Sequence, residues 1–261
     1  MSGPSTTMTV ERDGAVATLT LVPPPSKPPT LDAAVLDEFD GALQALEADP
    51  PRLLVLKSAS PRCFCAGANI EALKRINEST IVDWVERGHE VINRLEDLPF
   101  PCIAHVRGHA VGGGLELAMG CDLIFATTDS HFGLPEATLG FIPGWGGCHR
   151  LAARIGSSTA RYWFFTGRIV DARTARDAGL VDFVGDPDEL GREIDDFATA
   201  TIACSGTAIG LFKKQLNHAR RAARDRNAAA EVAGSQQCIN DPDGARRLAQ
   251  FLDRRSRRGC S

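Results

Sequence analysis

The sequence predicts an α/β core followed by a helical lobe. Residues 53–74 and 103–119 each run from a short apolar stretch, typical of a buried parallel strand, through a turn of small residues into a helix. From 186 to 258 the apolar spacing is helical throughout. Strands therefore dominate the first half and helices the last third, and no flexible linker separates them. We predict an α/β core at residues 10–185 and a helical lobe at 186–258.

The remaining elements follow from the same patterns. Residues 1–9 are small and polar, and we expect them to be disordered. Residues 16–21 alternate like a half-buried strand, and the prolines after them require an extended loop. Thr30 or Asp32 is suited to cap the next helix. Later predictions are a helix at 81–98, a strand at 123–126, an extended piece at 132–136, a helix near 146–155, a strand at 181–184, and helix breaks near Gly206, Gly234 and Asp241.

Composition excludes several classes of partner. The chain has 261 residues, 43% hydrophobic and 24% charged, with a formal net charge of −4, which gives no reason to expect nucleic acid or an anionic membrane surface. No apolar run approaches the roughly 18 to 20 residues of a membrane span, and the first residues do not resemble a signal peptide. The eight cysteines show no C-x-x-C spacing, so we expect a reducing cytoplasm.

The most informative stretch is 106–118, where a predicted strand turns into a helix at Gly112, Gly113 and Gly114. Glycine lets a ligand approach the main chain, and free amides at a helix start favour a negative or developing-negative group. Glu116 adds a carboxylate in the first helical turn. Phosphate motifs do not fit, because G-x-G-x-x-G needs glycine where Leu117 stands and a P-loop needs Gly-Lys-Ser/Thr. By itself the loop is compatible with tight packing or with catalysis.

Three segments in order, 64–70, 108–117 and 133–151, with a weaker fourth at 165–181, make the chain similar to the enoyl-CoA hydratase/isomerase (crotonase) family. The likeness covers residues 10–257. It implies a spiral core of repeated ββα units with a helical C-terminal lobe. It also implies an acyl-CoA thioester substrate, no cofactor beyond the coenzyme A of that substrate, and a homotrimer or dimer of trimers.

The resemblance also implies roles for individual residues. The backbone amides of Ala68 and Gly113 would hold the thioester oxygen, and losing one such donor typically costs ~3 kcal/mol of transition-state stabilisation. Glu116 would activate water, and Glu136 would donate the α-proton. The amide of Gly144 would help position the water or the acid. Because relatives that only shift a double bond commonly keep only the second glutamate, the presence of both favours a hydratase.

The implied contacts to coenzyme A and the acyl group are Ala66, Asn69, Ile70, Trp145 and Arg254. The family's usual CoA-binding loop after the first strand is replaced here by the proline-rich stretch 22–32, in which Lys27 is a candidate substitute. Trp145 stands where relatives usually have a small residue, so it is expected to narrow or reshape the acyl pocket.

Three alternatives remain open at the level of sequence. One is an isomerase or another crotonase-type reaction, such as dehydration or decarboxylation of a CoA-bound or carrier-protein-bound acyl group. The second is a non-catalytic acyl-CoA-binding scaffold. A metal site at His105 and His109 is the third, and it is disfavoured because a strand end and Gly108 interrupt the helix that i,i+4 spacing would need.

Overall fold

The computed structural model describes residues 5–258, apart from the side chains at 220–222 and 255–258. Its strands are β1 (Thr7–Asp13), β2 (Val16–Val22), β3 (Leu53–Ser58), β4 (Cys63–Cys65), β5 (Cys102–Val106), β6 (His109–Val111), β7 (Leu123–Thr127), β8 (His131–Gly133), β9 (Val170–Asp171) and β10 (Phe183–Gly185). They form two sheets, one ordered β1-β2-β3-β5-β7-β10 and the other β4-β6-β8-β9.

The helices are α1 (Ala33–Ala48), α2 (Ile70–Leu73), α3 (Ile81–Asp97), α4 (Gly113–Met119), α5 (Gly147–Ile155), α6 (Ser157–Thr166), α7 (Ala172–Asp177), α8 (Pro187–Ala203), α9 (Gly206–Asn240) and α10 (Pro242–Arg258). A 3₁₀ helix spans Glu136–Leu139. Within the described part of the chain, no helix combines the length and apolar content needed to cross a bilayer.

From β3 to β8, successive strands alternate between the two sheets, and this builds the spiral of ββα units that was predicted. The pairs β3/β4, β5/β6 and β7/β8 each give their first strand to the larger sheet and their second to the smaller one. In both sheets these neighbours are parallel, with Cys65 opposite Ala110 and Val111 opposite Gly133 in the smaller sheet. The carboxyl ends of β4, β6 and β8 therefore lie side by side.

Burial on both faces explains the continuous apolar run of β3. Leu54 and Leu56 belong to the main core cluster, whereas Leu53 and Val55 pack with Ile103, Phe125 and residues of α8 on the opposite face. A strand covered on both sides needs apolar side chains at every position. The prediction of a buried parallel strand is confirmed, and Asp32 caps α1 by accepting a hydrogen bond from the amide of Val35.

The N-terminal prediction is wrong for the residues that the structure describes. Residues 7–9 are not disordered but form the start of β1, which pairs antiparallel with β2 from Thr7 opposite Val22 to Asp13 opposite Val16. The small polar composition of this segment hides an edge strand whose order comes from backbone pairing. Residues 1–4 of the same prediction lie outside the described residues.

Three further boundaries differ from the sequence prediction. α9 does not break near Gly234, because that glycine lies where a Cβ would be 2.5 Å from Cδ1 of Ile142, so it permits close packing inside the helix. The last strand is Phe183–Gly185 rather than 181–184. Glu136 begins a 3₁₀ helix instead of continuing an extended piece. The division into units at 10–185 and 186–258 stays a prediction.

Buried charges join the long α9 to the core. Nζ of Lys213 lies 2.7 Å from Oδ2 of Asp122 and donates to the carbonyl of Phe100 at 3.0 Å. Further along α9, Nη2 of Arg224 lies 2.6 Å from Oδ2 of Asp97 at the end of α3. These contacts hold the helix against the strand ends and place its second half beside the loop before α5.

Replacing Lys213 by Met tests this anchor. The change keeps the apolar stem but removes the ammonium group from Asp122, which keeps only the amide of Cys102, and from the Phe100 carbonyl, so we expect a loss of ~2 kcal/mol in the free energy of unfolding, measured in urea. Lys214→Met on the exposed side of α9 is the matched control and should change stability by less than ~0.5 kcal/mol. Equal losses in the two variants would contradict the anchor.

Candidate active site

The turns after β4 and β6 approach each other so closely that only glycine fits between them. A Cβ on Gly67 would lie 2.8 Å from the nitrogen of Gly113 and 2.9 Å from the oxygen of Val111. Gly67 and Gly112 also have φ values of 82° and 55°, in the left-handed region that favours glycine. Gly67 and Gly112 therefore allow the turns after β4 and β6 to pack against each other.

This meeting leaves two backbone amides free to bind a ligand. Leu31 donates to the carbonyl of Gly67 and accepts from the amide of Asn69, so the amide of Ala68 between them faces away from this pairing. Gly113 is the first residue of α4, where an amide has no partner inside the helix. Among the described residues neither amide has a hydrogen-bond acceptor. The arrangement suits the oxygen of a carbonyl that gains negative charge.

Glu116 lies one helical turn further, buried at 2% exposure. Its Oε1 accepts hydrogen bonds from the amides of Trp145 at 2.8 Å and Gly147 at 2.7 Å. Burial, together with the nearby charges of Glu136 and Glu231, raises the pKa of Glu116 well above its ordinary value, and the two amides only partly oppose this. One carboxylate oxygen is thus held in place while the group is inclined to take up a proton.

Glu136 reaches the same place from the end of β8. The amide of Gly112 donates to the carbonyl of Gly133 at 2.9 Å, which brings the residues after β8 beside the glycine turn. A Cβ on Gly112 would lie 3.0 Å from Oε1 of Glu136. Its Oε2 is buried without a hydrogen-bond partner among the described residues. Burial, with a contribution from the charge of Glu231, raises the pKa of Glu136 to about 7.

The charge of Glu136 disfavours ionisation of Glu116. With both pKa values raised, the pair holds a proton near neutral pH. One carboxyl is then available as an acid and the other as a base. This is the protonation state that simultaneous proton donation and removal requires.

A cavity of about 1300 Å³ opens beside the turn at 66–68. Ala66, Ala68, Asn69 and Ile70 line it, and their contact with a substrate stays a prediction. Arg254 is exposed on α10 and is not among the lining residues; α10 contributes Leu252 instead. The cavity wall also carries basic side chains, namely Lys27, Lys74, Arg75 and Arg87.

Trp145 is buried at 2% exposure and does not line the cavity. Its indole packs between α3 and α4, where a Cβ on Gly113 would lie 2.5 Å from Cζ3 and a Cβ on Gly88 would clash with the five-membered ring. Its Nε1 donates to the carbonyl of Trp84 at 3.2 Å, and the two ring centroids are 4.9 Å apart. Trp84 faces the cavity, so Trp145 supports the wall from behind.

The loop containing Gly144 is at the site, although the amides that contact Glu116 belong to its neighbours. A Cβ on Gly144 would lie 3.3 Å from Cγ2 of Val85. The amides of Trp145 and Gly147 hold the carboxylate, and a role of Gly144 toward water stays a prediction.

Sequence reasoning missed a third carboxylate. Glu231 of α9 is buried at 4% exposure and accepts a hydrogen bond from the amide of Gly146 at 2.8 Å. The two residues are 85 positions apart, and α9 has many small residues, so no local pattern singles out this glutamate. Among the described residues, no group of three or more histidine, cysteine, aspartate or glutamate side chains is arranged to hold a metal ion.

Comparison with known proteins agrees with this geometry. The model of the family described as enoyl-CoA hydratase/isomerase matches residues 11–258. The chain belongs to the enoyl-CoA hydratase/isomerase family.

Individual members of the family match over most of their length. The chain is 32% identical over 254 residues to a short-chain-enoyl-CoA hydratase of Clostridium acetobutylicum, covering 96% of each protein. It is 32% identical over 230 residues to a mitochondrial methylglutaconyl-CoA hydratase of Mus musculus, covering 86% of this chain and 73% of that protein. A crystal structure of an enoyl-CoA hydratase from Bacillus anthracis superposes with a TM-score of 0.77 at 28% identity, covering 95% of this chain and 96% of the other.

The raised pKa of Glu136 predicts a pH-dependent cost in stability. In the unfolded chain this carboxyl ionises near 4.5, whereas in the folded chain it keeps its proton to about 7. Between these values the folded state binds the extra proton, so its stability falls as pH rises. Glutamine cannot ionise. We expect Glu136→Gln to raise Tm over wild type by an amount that grows from about pH 5 to about pH 7.5.

Scanning fluorimetry over this range measures the effect. Glu11→Gln, on the exposed edge strand, is the control and should give a flat difference. A Tm difference for Glu136→Gln that does not change with pH would show that the carboxyl is not held protonated in the folded chain.

Proposed function

We propose that this protein is an enoyl-CoA hydratase, which adds water reversibly across the 2,3-double bond of an enoyl-CoA thioester. The observation that carries the proposal is the convergence of two buried carboxyl groups, those of Glu116 and Glu136, on the turn that presents the free amide of Gly113. An isomerisation that only shifts the double bond moves one proton from one carbon to another, so it needs only one glutamate. Addition of water needs a base for the water and an acid for the carbon.

The chemistry follows from the positions of these groups. The amides of Ala68 and Gly113 bind the thioester oxygen and stabilise the negative charge that develops there. Glu116 takes a proton from water while the water oxygen bonds to C3, and the π electrons of the double bond move toward the thioester carbonyl. Glu136 then gives its proton to C2, and the carbonyl reforms. The pair ends with one proton, now on Glu116, and dehydration runs through the same steps in reverse.

The cavity supplies a place for the coenzyme A part of the substrate. We propose that Ala66, Asn69 and Ile70 contact the thioester end, where they line the wall next to Ala68. The basic side chains of Lys27, Lys74 and Arg75 on the same wall suit phosphate groups. Arg254 of α10 stays a candidate contact. Since the reaction consists of proton transfers and the addition of water, we propose that it uses no cofactor beyond the coenzyme A of the substrate.

Assembly and compartment are part of the same proposal. We propose a homotrimer or a dimer of trimers, which is supported by large apolar side chains on the surface, such as Phe165 at 74% and Phe212 at 68% exposure. The cytoplasm is the proposed compartment. Its support is the set of unpaired cysteines among the described residues, which suits reducing conditions.

Replacing each glutamate by glutamine tests the assignment. We expect Glu116→Gln and Glu136→Gln each to lower kcat by ~10²–10⁴-fold, because each loses one proton transfer while its shape remains. The assay is the loss of conjugated enoyl-thioester absorbance, with binding of the CoA ester measured separately. Glu11→Gln, far from the site on β1, should retain full activity.

Other outcomes of this experiment would select the alternatives. Full activity in both variants would contradict the mechanism. Movement of the double bond without hydration, unaffected by Glu116→Gln, would indicate an isomerase. Binding of acyl-CoA without any turnover by the wild type would indicate a scaffold.

We further propose that the substrate carries a short acyl group. The indole of Trp145 packs against Gly113, whose amide is part of the proposed oxyanion hole, and against Trp84 in the cavity wall. The two indoles occupy space beyond the thioester position that a small residue at 145 would leave open. A long acyl chain would have to displace them.

Trp145→Ala tests this limit while keeping the backbone amide that holds Glu116. We expect the ratio of kcat/KM for a ten-carbon over a four-carbon enoyl-CoA to rise at least ~tenfold, the scale of discrimination that pocket size provides. Trp163→Phe, a buried tryptophan change in α6, controls for general loosening of the core and should leave the ratio unchanged. If Trp145→Ala leaves this kcat/KM ratio unchanged, the indole of Trp145 does not limit the length of the acyl group.

A further inference from the structure

Three successive amides, two at the end of the loop before α5 and one at the first residue of α5, contact two different carboxylates. The amides of Trp145 and Gly147 donate to Oε1 of Glu116, whereas the amide of Gly146 between them donates to Oε2 of Glu231 at 2.8 Å. Gly146 has a φ of 98°, which turns its N–H to the side opposite its neighbours. The loop is therefore held from both sides, by Glu116 of α4 and by Glu231 of α9.

Glu231 lies beside two histidines, of which His89 is buried and His149 is half-buried. Nε2 of His89 in α3 lies 3.0 Å from Oε2 of Glu231, and Nδ1 of His149 in α5 lies 3.6 Å from Oε1. The imidazole rings are parallel within 6°, with centroids 6.4 Å apart. Glu231 and His89 are almost fully buried, so water does not compete for these contacts.

We propose that Glu231 is a positioning residue of the reaction, which holds the Gly146 amide so that the amides of Trp145 and Gly147 stay on Glu116. With His89 and His149 it forms a unit that also sets a negative charge beside Glu116 and Glu136. The inference rests on the proposed hydratase function and adds a residue that does not touch the reacting atoms.

Charge gives the unit a second effect. Burial alone would raise the pKa of Glu231, but His149, His89 and the Gly146 amide outweigh it and lower that pKa to about 2. Glu231 is therefore ionised at neutral pH. Its charge adds to the raised pKa of both Glu116 and Glu136. Removing the charge should let the pair lose its proton at lower pH.

Two substitutions separate the hydrogen bond from the charge. Glu231→Gln keeps an oxygen that accepts from Gly146 and loses the charge, so the alkaline limb of kcat/KM should move at least ~0.5 pH unit toward lower pH. Glu231→Asp keeps the charge but is one methylene shorter. For this variant we expect the limb to stay in place and kcat to fall ~tenfold with KM changed less than ~threefold.

The control is Asp225→Asn, an exposed carboxylate change on the same helix, which should match the wild type in both readouts. Circular dichroism and Tm establish that each variant is folded. If Glu231→Gln does not fold, Glu231→Asp decides by its kcat. When both variants fold, the proposal is overturned by a wild-type kcat in Glu231→Asp together with an unmoved alkaline limb of kcat/KM in Glu231→Gln. When Glu231→Gln is unfolded, a wild-type kcat in folded Glu231→Asp is enough to overturn it.

A measurement without turnover separates this proposal from the proposed function. Carbon-13 NMR of glutamate carboxyl groups, assigned with Glu136→Gln, follows ionisation of the pair directly. A lower pKa of Glu136 in Glu231→Gln supports the role of Glu231 even if the wild type hydrates no enoyl-CoA that is tried. An unchanged pKa together with an active wild type would reject Glu231 as the charge that tunes the pair and leave the hydratase intact.

Discussion

The parallel pairing of β4, β6 and β8 is the constraint on which the site depends. Parallel neighbours end at one edge, so the turns after these three strands must share the same space. Glycine at 67 and 112 makes that crowding possible, because any Cβ on Gly67 would meet the backbone of the next turn. The amide of Ala68, the amide of Gly113 and the carboxyl of Glu136 are brought together by this one arrangement of strands.

At the carboxyl ends of β4, β6 and β8, the buried carboxyl groups that the proposed reaction needs lower the stability of the folded chain. Burying Glu116 and Glu136 disfavours their charged forms, and the fold keeps them there by holding one oxygen of Glu116 with two amides. The same loop is tied to Glu231, whose charge works against ionisation of the pair. Through Glu231, α9 therefore contacts the loop that holds Glu116, and the pair of Lys213 with Asp122 joins that helix to the core.

Prediction from sequence succeeded where local patterns carried the information. The apolar run at 53–56, the cap at Asp32 and the glycine turn before Glu116 each lie in one short segment. It failed where order or contact comes from distant parts of the chain. β1 looks like a polar tail until it pairs with β2, and α9 passes through Gly234 because Ile142 packs there.

The sequence by itself determined the family, the glycine turns and the two glutamates, because each of these features lies within a short contiguous motif. Only the tertiary structure decided which amides hold Glu116, where the indole of Trp145 packs, and that Glu231 stands behind the loop. Burial and hydrogen-bond geometry depend on elements that are far apart in the chain. The pKa values of the glutamates follow from that burial, and no local pattern contains it.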